Sequence, residues 1–218
     1  MMKSLLDVQK VEYSKLTIHK YMKELELKSI VTKKKQAYVK GTAHKVFPNL
    51  LKRDFTSLCI NKKWCTDFTY LFLKNGAKRY NCTIIDLHDR SVVASLNGKN
   101  ITANLAIQTL KLAFKNNRIT ENLILHSDQG SQFTSQEFTD FCLKYNITQS
   151  MSKSGCPYDN APMESFYGTF KNEHTHHLCF TSDEMLNETT NDYMFHWYNH
   201  IRPHSFNNGK TPFAARYD

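Results

Sequence analysis

The stretch Leu123-Ile124-Leu125-His126-Ser127-Asp128-Gln129-Gly130 joins a short apolar run to a carboxylate and a turn. The apolar run is typical of a buried strand, so the sequence places Asp128 just past that strand's end. Asp-Gln-Gly also suits a simple turn. The position after a buried strand, with Gly130 permitting close approach of the backbone, favours a functional site. We therefore expect a sheet that presents an acidic group at the end of one strand.

The surrounding pattern predicts three strands first and alternating helices and strands afterwards. The leading strands are Lys63–Leu73, Arg79–Asp86 and Ser91–Leu96, separated by turn residues. The later elements are a helix over Ala103–Phe114, the strand at 123–125, a helix from its cap Ser135 to Tyr145, a strand over Ile147–Met151, a helix capped by Asn160 with Pro162 in its first turn, and a helix from its cap Ser182 to about His200. This order predicts a ribonuclease-H-like α/β fold with a mixed sheet flanked by helices.

Two further carboxylates join Asp128. Asp67 lies in the apolar and aromatic run Trp64–Leu73, where a charge usually needs a partner or a metal; the alternative is a solvated strand edge. Glu164 lies at the start of a predicted helix, with 35 residues between it and Asp128. Alone it could simply stabilise the helix dipole. Carboxylates gathered from distant parts of a chain hold hard divalent cations, and two such cations can clamp the reacting oxygens of a phosphodiester. The set therefore predicts metal-dependent cutting and joining of nucleic acid.

The positive charge of the chain lies at one end. Residues 1–53 contain 13 Lys and Arg and four Asp and Glu, whereas residues 54–218 contain 16 of each. We expect residues 1–53 to be a basic arm that neutralises DNA phosphates and residues 54–218 to be a catalytic core; the alternative is a solvated basic tail. A helix over Ser14–Leu27 suits a DNA-reading helix, although an ordinary surface helix fits equally. The candidate DNA contacts are Lys15, His19, Lys20, Lys23, Lys33, Lys34 and Lys35.

Several other classes of protein find little support. No apolar run approaches the ~20 residues of a membrane helix, and no signal segment is present. The six cysteines form no C-x-x-C pair, which indicates reduced thiols in a cytosolic protein. No glycine-rich phosphate loop occurs. The histidines near Cys179 lack a second pair for zinc, so we expect none there. His126 is expected to be structural or to support a ligand, and Asp86 is left outside the acidic set.

Several motifs together resemble those of a known family. They are Trp64-x-Thr66-Asp67-x-Thr69-Tyr70, His126-Ser127-Asp128-x-Gly130-x-Gln132-Phe133, Asp159-Asn160-Ala161-x-x-Glu164-Ser165-Phe166, Tyr198-Asn199-x-x-Arg202-Pro203-His204 and Thr211-Pro212-Phe213. In this order they resemble bacterial insertion-sequence transposases encoded by a second, overlapping reading frame, which have a retroviral-integrase-like DDE core. The resemblance extends from about Ser14 to Phe213.

The resemblance implies strand transfer by a 3′-OH onto target DNA, with Mg²⁺ or Mn²⁺ as cofactor and two ions per active site. It implies that Asp67, Asp128 and Glu164 are the catalytic residues and metal ligands, and that Lys171 contacts the DNA backbone. The implied partners are the element ends, target DNA, further copies of the chain on DNA and a first-frame protein. The implied location is the bacterial cytoplasm, with the nucleoid.

The chain also departs from the family. Family members usually have two or more helices ahead of the Ser14–Leu27 helix, so we expect a shortened N-terminus and weak preference for terminal repeats. The family commonly has Tyr-Leu where this chain has Tyr80-Asn81. Two alternatives remain: a non-catalytic DNA-binding remnant, and a metal-dependent nuclease without joining activity. The motif from Tyr198 to Phe213 argues against a generic nuclease.

Overall fold

A five-stranded mixed sheet forms the centre of the protein. The computed structural model describes residues 13–27, 45–117 and 122–218; the predicted DNA contacts Lys33, Lys34 and Lys35 lie outside these ranges. The strands are β1 (Lys63–Phe72), β2 (Lys78–Asp86), β3 (Val92–Gly98), β4 (Ile124–Ser127) and β5 (Thr148–Met151). Their order in the sheet is β3-β2-β1-β4-β5. All five predicted strands are confirmed, with ends that shift by no more than two residues.

The pairing of the strands is that of the predicted fold. β1 pairs antiparallel with β2, and β2 with β3, so the three leading strands form a meander. β4 then pairs parallel with β1, and β5 parallel with β4. Parallel neighbours need a crossover, which the intervening helices provide. The predicted ribonuclease-H-like mixed sheet is confirmed.

The helices flank the sheet in the expected order. Within the described ranges they are α1 (Lys15–Glu24), α2 (Ala103–Asn116), α3 (Ser131–Thr134), α4 (Gln136–Lys144), α5 (Ala161–Glu173), α6 (Asp183–Asn191), a π-helix (Asp192–Ile201) and α7 (Pro212–Arg216), with 3₁₀ turns at Pro157–Asn160, Thr175–His177 and Ser205–Asn207. The single long helix expected after Ser182 thus continues from α6 into a wider π-helix. That wider path turns Tyr193, Met194, Tyr198 and Asn199 inward.

Three of the four predicted helix caps are confirmed. The hydroxyl oxygens of Ser14, Ser135 and Ser182 each accept a hydrogen bond from a backbone N–H three residues later, as N-caps do. The prediction for Asn160 is wrong, because its side chain makes no cap hydrogen bond. Its Nδ2 donates instead to Asp67 Oδ2 at 3.3 Å. The amide is therefore engaged by the sheet rather than by the helix backbone.

Alternation along β1 separates two apolar layers. Trp64 faces one layer, where residues of α2 and α4 such as Leu110 and Phe138 pack. Cys65 and Leu71 face the other layer, which α5 and the C-terminal helices cover. Successive side chains of a strand point to opposite faces, so this alternation fixes which carboxylates face α5.

Residues Lys45–Arg53, which we call the strap, pack on the core although the sequence assigned them to the basic arm. Lys45 N donates to Thr134 O at 3.3 Å, and Met151 N donates to Pro48 O at 3.3 Å. Leu51 is only 3% exposed and belongs to the layer under α5. These contacts fit a boundary ahead of Lys45 better than the predicted one after Arg53.

The first helix presents a charged surface. Ile18 of α1 is buried, whereas Tyr21 and Leu25 of the expected apolar stripe are exposed. All four predicted DNA contacts on α1 are exposed: Lys15, His19, Lys20 and Lys23.

The six cysteines are free thiols. Across the described ranges, each helix is too short or too polar to traverse a bilayer.

Candidate active site

Asp67 lies in β1 on the face covered by α5. It shares that face with Cys65, since side chains two residues apart in a strand point the same way. Its Oδ1 accepts from Phe68 N at 2.7 Å, and its Oδ2 accepts from Asn160 Nδ2 at 3.3 Å. Its backbone oxygen accepts from Tyr167 Oη at 2.7 Å. Asp67 is therefore tied to α5 at both its side chain and its backbone.

Asp128 follows β4 directly, as predicted. The parallel register pairs Cys65 of β1 with His126 of β4, and two residues further along the strands are Asp67 and Asp128. Neighbouring strands lie about 4.8 Å apart, so a continuation of this register would place Asp67 and Asp128 at adjacent positions. Asp128 Oδ1 accepts from Gly130 N at 2.8 Å, which closes the turn. Gly130 has an ordinary φ of −61°, so its backbone does not require glycine, but the side chain of Gln132 occupies the space that a Cβ at position 130 would need.

Glu164 lies in the first turn of α5 and is exposed. The same helix region contacts Asp67 on either side of it in sequence, through Asn160 and Tyr167. Asn160 and Glu164 are four residues apart, and such side chains neighbour each other on a helix at about 5–6 Å between Cβ atoms. Asp67 in β1, Asp128 after β4 and Glu164 in the first turn of α5 thus belong to neighbouring elements, and we call the place where these elements meet the acidic corner.

The donor atoms at this corner are carboxylate oxygens, the ligand type that hard cations such as Mg²⁺ prefer. Over residues 13–27, 45–117 and 122–218, however, no three His, Cys, Asp or Glu side chains approach closely enough to hold a metal ion. The chemistry of the donors therefore fits a divalent cation, while the side-chain positions do not form a closed site.

The segment before α5 is anchored beneath this corner. Arg53 Nε donates to Asp159 Oδ1 at 2.8 Å, and Lys153 N donates to Asp159 Oδ2 at 3.1 Å. The Arg53 hydrogen bond in particular holds the pKa of Asp159 below its ordinary value. His126 is buried and contacts Asp159 O through Nε2 at 2.8 Å; burial lowers the pKa of its ring. His126 is thus structural, as expected, whereas the roles of Asp159 and Arg53 were missed.

A buried polar network lies behind Asp67 and accounts for the departure at Asn81. Asn81 is fully buried, and its Nδ2 donates to Ser95 Oγ at 2.8 Å and Asn97 Oδ1 at 3.0 Å. Its Oδ1 accepts from Thr83 Oγ1 at 2.7 Å. Thr83 is the residue opposite Asp67 across the β1–β2 pair. Polar partners on β3 therefore satisfy an amide in the place of the family's leucine.

Asp86 belongs to a different cluster. Its Oδ2 accepts from Asn61 N at 2.7 Å and from Arg216 Nη1 at 3.1 Å. Arg216 Nη1 also donates to Asp89 Oδ2 at 2.6 Å. Burial, followed by the nearby Asp89 charge, raises the pKa of Asp86. Leaving Asp86 out of the acidic set agrees with this position, because its oxygens are used to hold the C-terminal helix α7.

The C-terminal motif is also structural. Asn199 Oδ1 accepts from Val92 N at 2.8 Å, and its Nδ2 donates to Val92 O at 3.0 Å, beside the irregularity between Ile84 and Ile85. Arg202 Nε donates to both oxygens of Glu173, at 2.9 and 2.8 Å. These contacts lock the tail to β3 and α5. The motif therefore reports on the architecture and does not by itself distinguish joining from cutting.

The remaining predicted DNA contacts do not gather around the acidic corner as one group. Lys171 lies on α5, seven residues after Glu164 and half-buried. Residues seven apart on a helix differ by about 20° in direction, so Lys171 lies on the stripe of Glu164. Lys15, His19, Lys20 and Lys23 lie on α1, where Lys20 also pairs with Glu24 at 3.9 Å.

Comparison with known protein families and sequences gives a consistent result. Two family models, each described as an integrase core domain, match residues 58–157 and 145–212. Transposase InsF for insertion sequence IS3A of Escherichia coli (strain K12) is 36% identical over 167 residues, which are 77% of this chain and 58% of that protein. InsK of insertion sequence element IS150, from the same strain, is 35% identical over 170 residues, with 78% and 58% covered. The chain thus spans less than two thirds of the length of these relatives.

Solved structures show the same fold. A simian T-cell lymphotropic virus intasome, in complex with PP2A regulatory subunit B56 gamma, matches with a TM-score of 0.62 and 18% identity, over 99% of this chain and 74% of that one. The HTLV-2 integrase catalytic core domain in complex with magnesium matches with a TM-score of 0.55 and 21% identity, over 73% of this chain and 99% of that one. Together the integrase-core matches run from residue 58 to residue 212, and the sequence relatives are transposases of insertion sequences. The chain belongs to the integrase-core family, and its sequence is similar to bacterial insertion-sequence transposases.

Proposed function

We propose that the protein is a transposase that cleaves DNA strands and transfers them to target DNA by metal-dependent phosphoryl transfer. The observation that carries this proposal is the strand register, in which Asp67 and Asp128 each lie two residues beyond the paired Cys65 and His126. The family supports the type of reaction, since its named relatives are transposases. Because the chain covers only part of those relatives, the activity is a proposal for this chain.

The proposed roles follow from position. Asp67 and Asp128 would hold one divalent ion, and Glu164 would complete the site for a second. When bound, such ions activate a water or 3′-OH and stabilise the leaving oxygen of an in-line displacement. Asn160 orients the Asp67 carboxylate through its amide, and Tyr167 fixes the backbone of Asp67. Lys171 contacts the DNA backbone from the stripe of α5 that also presents Glu164.

Magnesium or manganese is the proposed cofactor, with two ions per site. All three proposed ligands are carboxylates, which suit these hard ions. The HTLV-2 integrase core was obtained in complex with magnesium, and it shares this fold. Metal dependence is open to direct test: activity is expected to vanish in chelator and return with Mg²⁺.

The proposed substrate is DNA, both the element ends and the target. Lys15, His19, Lys20, Lys23, Lys33, Lys34 and Lys35 would supply phosphate contacts from the basic arm. Retroviral relatives of the fold occur in an intasome and in trimeric and dimeric core forms, which supports assembly of several copies on DNA. We further propose a first-frame protein as partner, and action in the bacterial cytoplasm on nucleoid DNA.

The contribution of the arm can be measured by salt dependence. Each phosphate contact contributes about −0.9 to the slope of log affinity against log salt for duplex DNA. A chain that starts at Lys45 keeps the strap and loses the arm, so it is expected to bind random duplex more weakly and with a shallower slope than the full chain. Equal slopes for the two chains would show that residues 1–44 make no phosphate contacts.

The function is tested with a labelled duplex that carries the terminal sequence of the encoding element, a target duplex and Mg²⁺. The proposal predicts a covalently joined donor–target strand. Cleaved donor without joined product would indicate a nuclease. Binding without cleavage would indicate a non-catalytic remnant. Asp128→Asn serves as the matched inactive control.

A further inference from the structure

The short segment before α5 is held from two sides by one residue. Asp159 is 2% exposed and lies in the 3₁₀ turn Pro157–Asn160. Its side chain accepts from Arg53 of the strap, and its backbone oxygen contacts His126 of β4. Asn160, the next residue, contacts Asp67 of β1. Two consecutive residues therefore connect the start of α5 to β4, to β1 and to the strap.

The His126 contact has a defined polarity. A backbone oxygen can only accept, so the ring must donate from Nε2 to Asp159 O, at 2.8 Å. In the neutral ring Nδ1 is then the acceptor, and Ser150 Oγ at 2.8 Å donates to it. Ser150 Oγ in turn accepts from Leu50 N of the strap at 2.9 Å. The chain of hydrogen bonds thus runs from the strap through Ser150 of β5 and His126 of β4 to Asp159. His126 lies two residues before Asp128.

Hydrogen bonds from the strap to β5 and to Asp159 complete a closed loop of contacts. Its Pro48 and Leu50 bond to β5, and its Arg53 bonds to the Asp159 carboxylate. Arg53 is partly exposed, whereas the Asp159 carboxylate is buried. A buried carboxylate that loses its cation is costly, so this pair resists separation more than a surface pair would.

We propose that Asp159 is a positioning residue that sets the placement of Glu164 on α5 relative to Asp128 after β4. The inference rests on the proposed function, because it concerns the metal site formed by those carboxylates. Mg²⁺ demands near-ideal geometry, and residues that orient metal ligands typically contribute 10- to 100-fold to affinity. The strap that leads in from the basic arm thereby takes part in building the active site.

The test measures Mn²⁺ affinity of the full chain by electron paramagnetic resonance of the free ion, with thermal unfolding of each variant alongside. Asp159→Ala is expected to weaken Mn²⁺ binding by about 10- to 100-fold. Arg53→Ala is expected to weaken it less, and adding Arg53→Ala to Asp159→Ala to change little further, because the two residues act through one contact. Arg53→Ala also keeps the test valid if Asp159→Ala does not fold.

The matched control is Arg79→Ala. Arg79 Nη2 donates to Asp183 Oδ2 at 2.9 Å, which is a comparable Arg–Asp pair between β2 and α6, away from the acidic corner. Arg79→Ala is expected to lower the unfolding temperature without changing Mn²⁺ affinity. If Asp159→Ala and Arg53→Ala fold and bind Mn²⁺ as Arg79→Ala does, while Asp128→Asn loses binding, the positioning role is overturned and the metal site stands. If Asp128→Asn binds like the wild type, the proposed metal site itself fails.

Discussion

Two acidic regions of this molecule use the same side chain in different ways. Asp86 and Asp89 are almost fully buried, and both accept from the Arg216 guanidinium. Asp67 and Asp128 are half-buried, and their identified donors are backbone N–H groups and one amide. The first region is closed by a residue of the C-terminal helix α7. The second lies beside the middle of β1 and just past the end of β4.

The difference suggests how a structural carboxylate can be told from a functional one. Burying a carboxylate is costly unless a cation and hydrogen bonds compensate it, so the charge of Asp86 and Asp89 is tied to the stability of the fold. Asp67 and Asp128 are less buried, so their charges are expected to contribute less to the stability of the fold. Removal of Arg216 should therefore impair stability in the first region, whereas loss of a carboxylate charge should impair activity in the second.

The largest expected effect is on strand transfer. Asp67→Asn, Asp128→Asn and Glu164→Gln are each expected to lower the rate of joining by about 10³-fold or more, because each removes a charge that the metal ions require. DNA binding should remain nearly unchanged, since the phosphate contacts come from the basic arm. Rates from the duplex joining assay and affinities from titration check both statements. Wild-type joining by any one variant would remove that residue from the site.

The second effect concerns the closed region. Arg216→Ala is expected to lower the free energy of unfolding by about 3–5 kcal/mol, because it leaves two buried carboxylates without their cation. Chemical denaturation of the variant and of Lys210→Ala, a pair at the exposed surface near the same end of the chain, gives the comparison. A loss below about 1 kcal/mol would mean that Asp86 and Asp89 are not held by Arg216.

The third effect concerns the network behind Asp67. Asn81→Leu restores the residue common in the family but removes one hydrogen-bond partner each from Ser95, Asn97 and Thr83, although Thr83 Oγ1 still donates to Ser95 Oγ at 3.0 Å. An unsatisfied buried group costs about 1–3 kcal/mol, so the variant should be less stable by that amount. Combining it with Ser95→Ala should recover part of the loss. An increase in stability from Asn81→Leu alone would contradict the assigned network.

The smallest effect is on the pH dependence of stability. The pKa of Asp159 is lowered, chiefly by Arg53, so its contribution is present above about pH 3.9 and is lost as the pH falls through its folded-state pKa. The pKa of Asp86 is raised, chiefly by burial, so its contribution is present below about pH 3.9 and is lost as the pH rises through its folded-state pKa.

Denaturation between pH 6 and pH 3 tests this difference in sign. Asp159→Asn should lose less stability on acidification than the wild type, and Asp86→Asn should lose more. Asp183→Asn is the control for the first, because a hydrogen bond from Arg79 likewise lowers the pKa of Asp183. Parallel curves for all variants would show that neither shift contributes to folding.

Local patterns predicted most of the architecture. Alternation of apolar residues along β1 and serines ahead of apolar helices are short-range signals, and the strands, the caps and the position of Asp128 follow from them. The order of the elements then predicts the sheet, because parallel strands need helical crossovers.

The parts that could not be predicted depend on partners distant in sequence. Arg53 and Asp159 are 106 residues apart, and Arg216 and Asp86 are 130 apart, so no local pattern relates them. Asn160 is of a residue type that commonly caps helices. Its amide donates instead to the carboxylate of Asp67 in β1, 93 residues away in sequence. The basic residues of the strap suggest that it belongs to the basic arm. The burial of Leu51 shows instead that the strap packs on the core.

The central claim is that a divalent cation binds where β1, β4 and α5 meet. Crystals of the full chain soaked in Mn²⁺, with anomalous diffraction recorded for the wild type and for Asp128→Asn, test it most directly. We expect an anomalous peak in contact with the carboxylates of Asp67 and Asp128 in the wild type, and we expect this peak to disappear in Asp128→Asn. A peak at Asp86 and Asp89 instead, or a peak at the corner that survives Asp128→Asn, would contradict it.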